Sequence, residues 1–290
     1  MRVLLLGANG QLGHDIRRAH ERTPSFTLIP VGRDQLDVSR PGEIERVLGG
    51  LQFDAIVNCT SYHKTDEVED NASLAFSVNS HAVQALGNLC TQKRARLFHV
   101  STDYVFGGDV VRATPLSEGD PTAPVNVYGA SKALGENLAR LSCESTVILR
   151  VASLFGIAGA SGKGGNFVET MIRVGTEKGA LRVVGDQIMS PTSTADIAII
   201  LLRMLAENCP QGVYHVVNSG HASWFEFATE IIRRTGIDAS VAPCTSAEYP
   251  LRAARPHYSA LDNAKVGRAF GPMPPWQEAL DRYLLARAAN

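Results

Sequence analysis

A tyrosine and a lysine lie four residues apart in the stretch PVNVYGASKA, which covers residues 124–133. Residues with this spacing share one face of a helix, so Tyr128 and Lys132 face the same point if the stretch is helical. A phenol is a weak acid near neutral pH, and a neighbouring ammonium group is expected to lower its pKa. The pair then suits proton transfer, whereas by chance the same spacing also occurs on solvated helix faces.

Hydroxyl side chains end the apolar stretch RLFHVST, a candidate buried strand. Ser101 and Thr102 would lie at its carboxyl end, the edge of a parallel sheet at which ligands bind. Thr102, Tyr128 and Lys132 together would hold a carbonyl oxygen beside a nicotinamide ring. This context favours the catalytic interpretation of the tyrosine and the lysine over a solvated helix face.

Three glycines follow the first apolar run in the stretch LLLGANGQLGHDI. Gly7, Gly10 and Gly13 have the spacing of a strand-to-helix turn that lets the backbone approach a pyrophosphate at a helix N-terminus. A tight turn without a ligand is the alternative interpretation of this spacing.

The second predicted strand ends in VGRDQLDV. An arginine in this turn suits the 2′-phosphate of NADP(H), so Arg33 favours NADPH, with NADH as the alternative. Arg33 is otherwise an exposed loop residue. Asp37 would either accept a hydrogen bond from the adenine amino group or cap the helix that begins near Pro41.

Short apolar runs alternate with amphipathic stretches in the first half of the chain. Parallel strands need helical crossovers, so this alternation predicts a doubly wound α/β fold with a parallel sheet. The predicted helices cover residues 11–23, 42–49, 70–93 and the stretch around Tyr128. The predicted strands begin at Arg2, Phe26, Asp54, Arg96 and Thr146.

The pattern loosens after Val151, and a glycine-rich run covers residues 155–167. We expect a dinucleotide-binding Rossmann domain over residues 1–154 and a smaller, mainly substrate-binding region over residues 155–290. Segments near residues 181–217 are expected to return to the Rossmann domain. From Gly220 onward the chain is not expected to continue the alternation of strands and helices.

The composition limits the classes of partner. The formal net charge is −1 and the basic residues are scattered, so we expect neither a nucleic-acid nor a membrane partner. No apolar run reaches about 18 residues. The histidines are not spaced like metal ligands, and the acidic residues are better explained by their position at the start of a helix. No metal is therefore expected. The cysteines are dispersed along the chain, which favours the reducing cytoplasm as the location of the protein. They are Cys59, Cys90, Cys143, Cys209 and Cys244.

The chain resembles the dTDP-4-dehydrorhamnose reductase family of the extended short-chain dehydrogenase/reductase superfamily. The matching segments run nearly end to end and include GANGQLG, HVSTDYVFGG, PVNVYGASKALGE, VVGDQIMSPTSTADIA and RPHYSALDNAKV. The Tyr-x-x-x-Lys motif marks the superfamily, and STDYVF with DQIMSPT marks the smaller family. The resemblance implies NAD(P)H-dependent reduction of the C4 keto group of a nucleotide-linked 6-deoxy sugar, with dTDP-4-dehydrorhamnose as the expected substrate.

The resemblance also implies roles for individual residues. Thr102 would polarise the substrate carbonyl, Tyr128 would donate the proton, and Lys132 would bind the nicotinamide ribose. Asn79 would support a proton relay. On the sugar side the implied residues are Asp103, Tyr104 and Arg255, although Arg255 could also be a buried structural arginine. The backbone of Gly10, Gln11 and Leu12 would contact the pyrophosphate, and the cofactor would be flanked by Thr60, Ser61 and Tyr62.

Two departures concern the substrate. Related dehydratases carry Thr-Asp-Glu after the fourth strand, whereas this chain has Tyr104 in the third place, which favours reduction over dehydration. The family commonly has a tryptophan at the position of Ser153, so a reshaped sugar pocket is expected. A different nucleotide 4-ketosugar is therefore the alternative substrate. The family also resembles the regulatory subunit of methionine adenosyltransferase, which leaves a non-catalytic cofactor-binding role as a further alternative. The superfamily suggests a homodimer.

Overall fold

The computed structural model describes residues 1–159 and 165–289. Residues 160–164, part of the glycine-rich run, lie outside these ranges. The strands in the described ranges are β1 (Arg2–Leu6), β2 (Thr27–Val31), β3 (Ala55–Asn58), β4 (Arg96–Thr102), β5 (Thr146–Val151), β6 (Leu154–Phe155), β7 (Ala180–Val184), β8 (Ile188–Met189), β9 (Thr192–Ser193), β10 (Gly212–His215), β11 (Ala222–Ser223) and β12 (Ser240–Cys244). The α-helices there are α1 (Gln11–Arg22), α2 (Pro41–Leu48), α3 (Thr65–Asp70), α4 (Ala72–Phe76), α5 (Ala82–Lys93), α6 (Val127–Ser142), α7 (Phe167–Lys178), α8 (Thr194–Ala206), α9 (Trp224–Thr235), α10 (Ala264–Phe270) and α11 (Trp276–Ala288).

The main sheet has six parallel strands in the order β10-β5-β4-β3-β1-β2. From β1 the chain first adds β2 on one side and then adds β3, β4 and β5 on the other. This reversal leaves a crevice at the carboxyl ends of β1 and β3, where doubly wound sheets bind their ligands. The predicted α/β fold is confirmed.

Alternate side chains of β1 enter two separate cores. Val3 and Leu5 pack in a cluster with residues of α1 and α8, whereas Leu4 and Leu6 pack with residues of α2 and α5. All four side chains are at most 1% exposed. Because successive residues of a strand point to opposite faces, a sheet covered on both sides needs continuous apolar strands, as the sequence has.

A third core joins the later helices. Phe227 of α9 packs against Phe155 and Trp276, with ring centroids 5.7 and 5.5 Å apart. Strand β12 pairs with β7 outside the main sheet, while β10 lies in the main sheet beside β5. The region after Gly220 therefore does contain a strand, a helix and a strand, contrary to expectation. The domain boundary at residue 154 stays a prediction.

Helix α6 has the position that the sequence predicts. It begins after Asn126, whose side chain accepts a hydrogen bond from the Gly129 amide at 2.7 Å. A Cβ at Gly129 would lie 2.1 Å from the Tyr104 carbonyl oxygen, so this glycine brings the helix against the end of β4. The predicted helix over residues 70–93 is divided into α4, a π-helical turn at Ser77–His81, and α5.

Candidate active site

A cleft of about 1140 Å³ opens at the carboxyl edge of the main sheet. Residues that follow β1, β2, β3, β4 and β5 form its walls. Asn79 lies outside the lining and is fully buried. All the other residues that the sequence predicts for catalysis, cofactor or sugar line it: Gly7, Gly10, Gln11, Leu12, Gly13, Arg33, Asp37, Thr60, Ser61, Tyr62, Thr102, Asp103, Tyr104, Tyr128, Lys132, Ser153 and Arg255.

The glycine turn holds α1 against the end of β1. Gly7 has a φ of +75°, which favours glycine, and a Cβ at Gly13 would lie 2.3 Å from the Gly7 carbonyl oxygen. The N–H of Gly10 donates to that same oxygen at 2.9 Å, so this amide is already engaged. The N–H groups of Gln11 and Leu12 open the helix and have no intrahelical acceptor. These two amides are therefore available to an anion.

Tyr128 lies on α6 with its phenol among hydroxyl groups. The phenol hydrogen-bonds with the hydroxyls of Thr102 and Ser61. Burial raises the pKa of Tyr128 to about 12, although the two hydroxyls act in the opposite direction. The expectation of a lowered pKa is wrong because the loss of hydration exceeds the other effects on the phenol. Tyr128 is accordingly a protonated donor at neutral pH.

Lys132 lies one helical turn beyond Tyr128 and is 1% exposed. Its amine donates to the Val100 carbonyl oxygen at 2.7 Å and lies 3.3 Å from Nε2 of His99. Burial lowers the pKa of Lys132 to about 8, while Glu136 acts in the opposite direction. The lysine therefore changes charge within the range in which enzymes commonly work.

Asn79, in the π-helical turn, joins the third strand's loop to α6. Its Oδ1 accepts hydrogen bonds from the Tyr62 amide at 2.9 Å and the Ser61 hydroxyl at 3.2 Å. Its amide group donates to the Tyr62 carbonyl oxygen and to Ser131 Oγ, at 3.1 and 3.0 Å. Asn79 thus touches Ser61, which contacts the phenol of Tyr128. Single π-helical turns inside longer helices are frequent at functional sites.

Asp103 and Tyr104 follow Thr102 at the end of β4. Asp103 accepts hydrogen bonds from Thr102 Oγ1 at 3.1 Å and from Ser259 Oγ at 2.6 Å. Burial raises the pKa of Asp103 to about 6, against the effect of these hydroxyls. The ring of Tyr104 lies edge-on to that of Tyr128, with centroids 5.7 Å apart. Both residues line the cleft beside the phenol.

Arg255 reaches the cleft from the C-terminal part of the chain. Its guanidinium donates to Asp66 at 2.7 Å and to the Ala253 carbonyl oxygen at 2.8 Å. Asp70 pairs with Arg252, so two acids of α3 hold the same C-terminal segment. These ion pairs account for much of the acidic run that the sequence shows at this helix.

The turn after β2 is much more exposed. The Arg33 side chain is 87% exposed and lies 3.8 Å from the Asp37 carboxylate. Asp37 accepts a hydrogen bond from the Ser39 amide at 3.0 Å. Hydrogen bonds from the Ser39 side chain and backbone lower the pKa of Asp37. Helix α2 has Arg40 at its N-cap, so Asp37 is not the residue that caps it.

Ser153 lies in the cleft wall with a φ of +44°, a left-handed conformation that is uncommon outside glycine. Sequence reasoning missed two aromatic residues in the same wall. Phe167 and Trp224 line the cleft with ring centroids 4.6 Å apart. Each of these aromatic residues is the first residue of a helix, and this was the only hint that the sequence offered. Nothing in the sequence showed that α7 and α9 begin beside the same cleft.

The reversal of strand order, the glycine turn and the cleft beside it define a doubly wound, dinucleotide-binding class of protein. The family model described as RmlD substrate binding domain matches residues 1–288. The chain therefore belongs to this family, the dTDP-4-dehydrorhamnose reductase family that the sequence motifs indicate.

Three relatives show how far the similarity extends. The chain is 35% identical to the spore coat polysaccharide biosynthesis protein SpsK of Bacillus subtilis, over 99% of this chain and 98% of that protein. It is 36% identical to a probable dTDP-4,6-dihydroxy-2-methyloxan-3-one 4-ketoreductase of Streptomyces antibioticus, over 97% of this chain and 93% of the relative. The crystal structure of dTDP-4-dehydrorhamnose reductase from Bacillus anthracis in complex with NADP superimposes with a TM-score of 0.89, at 35% identity, covering 98% and 99% of the two chains.

Two observations concern membranes and metals. Within residues 1–159 and 165–289, no helix has the length and apolarity needed to cross a bilayer. The same ranges contain no group of three or more His, Cys, Asp or Glu side chains placed to hold a metal ion.

Proposed function

We propose that the protein reduces the C4 keto group of a nucleotide-linked 6-deoxy sugar with NADPH, and that it converts dTDP-4-dehydrorhamnose to dTDP-rhamnose. The observation that carries this proposal is the contact between the Tyr128 phenol and the Thr102 hydroxyl inside the cleft. A ketone oxygen placed between these groups would accept two hydrogen bonds where negative charge develops during reduction. Full-length similarity to a dTDP-4-dehydrorhamnose reductase supports the choice of sugar.

The side chains divide the work of a carbonyl reduction. When bound, the reduced nicotinamide supplies the hydride that carbon C4 accepts. Tyr128 keeps its proton at neutral pH because its pKa is about 12, and it passes this proton to the ketone oxygen. The hydroxyls of Thr102 and Ser61 then stabilise the phenolate that remains. Lys132, in its ammonium form, adds a positive charge one turn away.

The residues present fit a dinucleotide. A Cβ at Gly13 would strike the backbone of Gly7, so the glycines are needed for the close turn that lets a pyrophosphate approach. The free amides of Gln11 and Leu12 would bind the pyrophosphate, and Lys132 would bind the ribose next to the nicotinamide. Arg33 would pair with the 2′-phosphate that distinguishes NADPH from NADH, and the relative from Bacillus anthracis was solved with NADP.

Reduction of a different nucleotide 4-ketosugar is the second candidate. Ser153 places a small side chain in the cleft wall, at the position where the family commonly has a tryptophan. This part of the cleft therefore has room for a substituent. The similar 4-ketoreductase of Streptomyces antibioticus carries the name of a different sugar. A non-catalytic binding role is disfavoured because Thr102, Tyr128 and Lys132 all line the cleft.

A cytoplasmic homodimer is the setting that we propose for this activity. All five cysteines are free thiols, and four of them are buried. That pattern is typical of a reducing compartment. We propose the homodimer because the resemblance to the superfamily suggests one.

Turnover of defined sugars tests the proposal. Purified protein is mixed with NADPH and enzymatically prepared dTDP-4-dehydrorhamnose, and the loss of absorbance of the reduced cofactor is followed. We expect oxidation of NADPH and formation of dTDP-rhamnose. Turnover confined to other nucleotide 4-ketosugars would support the second candidate. Tight NADPH binding without turnover of any ketosugar would favour the binding role.

A further inference from the structure

Three buried side chains form a line beneath the cleft: Asn58 at the end of β3, His99 on β4, and Lys132 on α6. Asn58 and His99 are fully buried and Lys132 is 1% exposed. Nδ2 of Asn58 lies 3.2 Å from Nδ1 of His99, and Nε2 of His99 lies 3.3 Å from the lysine amine. Each contact crosses from one element to the next, so the line joins two strands to the helix that carries Tyr128.

The loop after β3 determines which way the Asn58 amide faces. Its Oδ1 accepts hydrogen bonds from the Thr60 backbone amide at 3.1 Å and from the Thr60 hydroxyl at 2.6 Å. A backbone N–H only donates, so the oxygen must be on that side and the NH₂ group must face His99. Nδ1 of His99 therefore accepts a hydrogen bond and carries no proton. The neutral ring then has its proton on Nε2.

This tautomer places a donor opposite the lysine. An ammonium group has only hydrogens to offer, so it would meet the Nε2–H of His99 donor to donor. An uncharged amine has a lone pair that can accept from Nε2–H while its own N–H donates to the Val100 carbonyl oxygen. The hydrogen-bonding pattern around Lys132 thus fits the free amine better than the ammonium form.

The charged groups around Lys132 do not reverse its preference for the free amine form. Glu136, one turn further along α6, is bound to Arg150 at 2.8 Å and to the Ser101 hydroxyl at 2.5 Å, so its charge is largely neutralised. Burial raises the pKa of the Cys59 thiol to about 12, and this thiol is uncharged at neutral pH. Tyr128 is likewise a neutral phenol. Burial also lowers the pKa of His99, which keeps the ring neutral.

We propose that Asn58 and His99 are positioning residues that control the charge of Lys132: the asparagine selects the Nε2–H tautomer, and the histidine opposes protonation of the lysine. Lys132 can then release a proton as well as hold one, which an ordinary surface lysine does not do near neutral pH. Because Lys132 lies one helical turn from Tyr128, its charge bears on the phenolate that reduction leaves on the tyrosine. The catalytic consequence rests on the proposed function, but the tautomer and the lysine charge do not.

Nuclear magnetic resonance tests the tautomer without any substrate. In ¹⁵N-histidine-labelled protein, the ring resonances of His99 are assigned by their loss in His99→Gln. We expect a protonated Nε2 and an unprotonated Nδ1 that do not change between about pH 6 and 9, because the ring is buried and neutral. The opposite tautomer, or a charged ring in this range, would overturn the proposal.

Two substitutions at Asn58 test the effect on the lysine. In Asn58→Asp, a carboxylate accepts from Nδ1–H and turns the lone pair of Nε2 toward Lys132. In Asn58→Leu, no charge is added and the histidine is free to choose either tautomer. We expect the midpoint of the Lys132 ¹³Cε titration, near pH 8 in the natural chain, to rise by about one pH unit or more in both variants. Unchanged midpoints in folded variants would contradict the proposal.

Turnover then shows whether the lysine charge matters to the reaction. The upper pH limit of kcat should move with the ¹³Cε midpoint in both variants, whereas a residue with a structural role only would lower kcat without moving that limit. A midpoint that moves while the kcat limit stays would remove the catalytic consequence. If no ketosugar is reduced, the proposed function fails and the two resonance measurements still decide the tautomer and the charge. If neither variant folds, the His99 resonances of the natural chain decide alone.

Discussion

The two ends of the cleft are built in opposite ways. At the reactive end, Thr102 and Lys132 are buried and Tyr128 is half-buried. Each of the three has at least two polar contacts from other side chains or the backbone. At the outer end, Arg33 is 87% exposed and has a 3.8 Å contact with Asp37. This difference indicates that burial holds the reactive side chains in place before a ligand binds, whereas the side chains at the outer end are free to adapt to the cofactor.

The largest effect should follow from removing the phenol at the reactive end. We expect Tyr128→Phe to lower kcat about 10²- to 10⁴-fold, because the substitution removes the proton donor and leaves the ring packing in place. NADPH binding, followed by fluorescence, should stay near that of the natural chain. A variant with near-normal turnover would exclude Tyr128 as the acid and would remove the contrast between the two ends.

The glycine turn connects the two ends, so widening it should affect both. The Cβ in Gly13→Ala would lie 2.3 Å from a backbone oxygen, and we expect a loss of about 1–3 kcal/mol in the free energy of unfolding. NADPH affinity should fall as the turn opens. Gly42→Ala is the matched control, since a Cβ at Gly42 meets nothing within 4 Å. Equal stabilities of the two variants in urea denaturation would contradict this account.

Next in size is the pH dependence at the reactive end. The pKa of Lys132 is about 8 and that of Tyr128 is about 12, so raising the pH removes the lysine charge long before it ionises the phenol. We expect kcat to be constant below about pH 7 and to fall roughly tenfold for each unit well above pH 8. Initial rates at saturating substrate check this. A rate that stays constant up to pH 10 would show that the ammonium form is not needed.

The smallest effect should come from the outer end. Arg33→Ala removes one exposed charge, so we expect NADPH affinity to fall by only a factor of about 2–10, with NADH affinity unchanged. Titrations with both cofactors at two salt concentrations measure this. A loss of 100-fold or more would mean that Arg33 becomes well ordered against the phosphate, and the two ends would then differ less than the structure indicates.

The sequence predicted the elements whose signal is local. The strands that begin near Arg2, Asp54, Arg96 and Thr146 are present, because a continuous apolar run indicates a strand buried on both faces. The spacing of Tyr128 and Lys132 indicated one helix, and α6 carries both. The same reasoning predicted that Thr102 lies at the edge of the sheet beside them.

Contacts between distant residues had no local signal. His99 meets Lys132 from another element, and Arg255 meets Asp66 across 189 positions of the chain. The pKa of Tyr128 was predicted in the wrong direction for a related reason: loss of hydration depends on how completely several elements cover the phenol, whereas the sequence shows only the lysine one turn away.

The hydrogen bond between Asp103 and Ser259 affects the order in which the chain can fold during its synthesis. These residues lie 156 positions apart, so a ribosome must release most of the polypeptide before the wall beside Thr102 can be completed. Strands β1 to β5 can associate earlier during synthesis, since domains fold as their segments emerge. A nascent chain would therefore form its dinucleotide-binding turn before the sugar side of the cleft is complete.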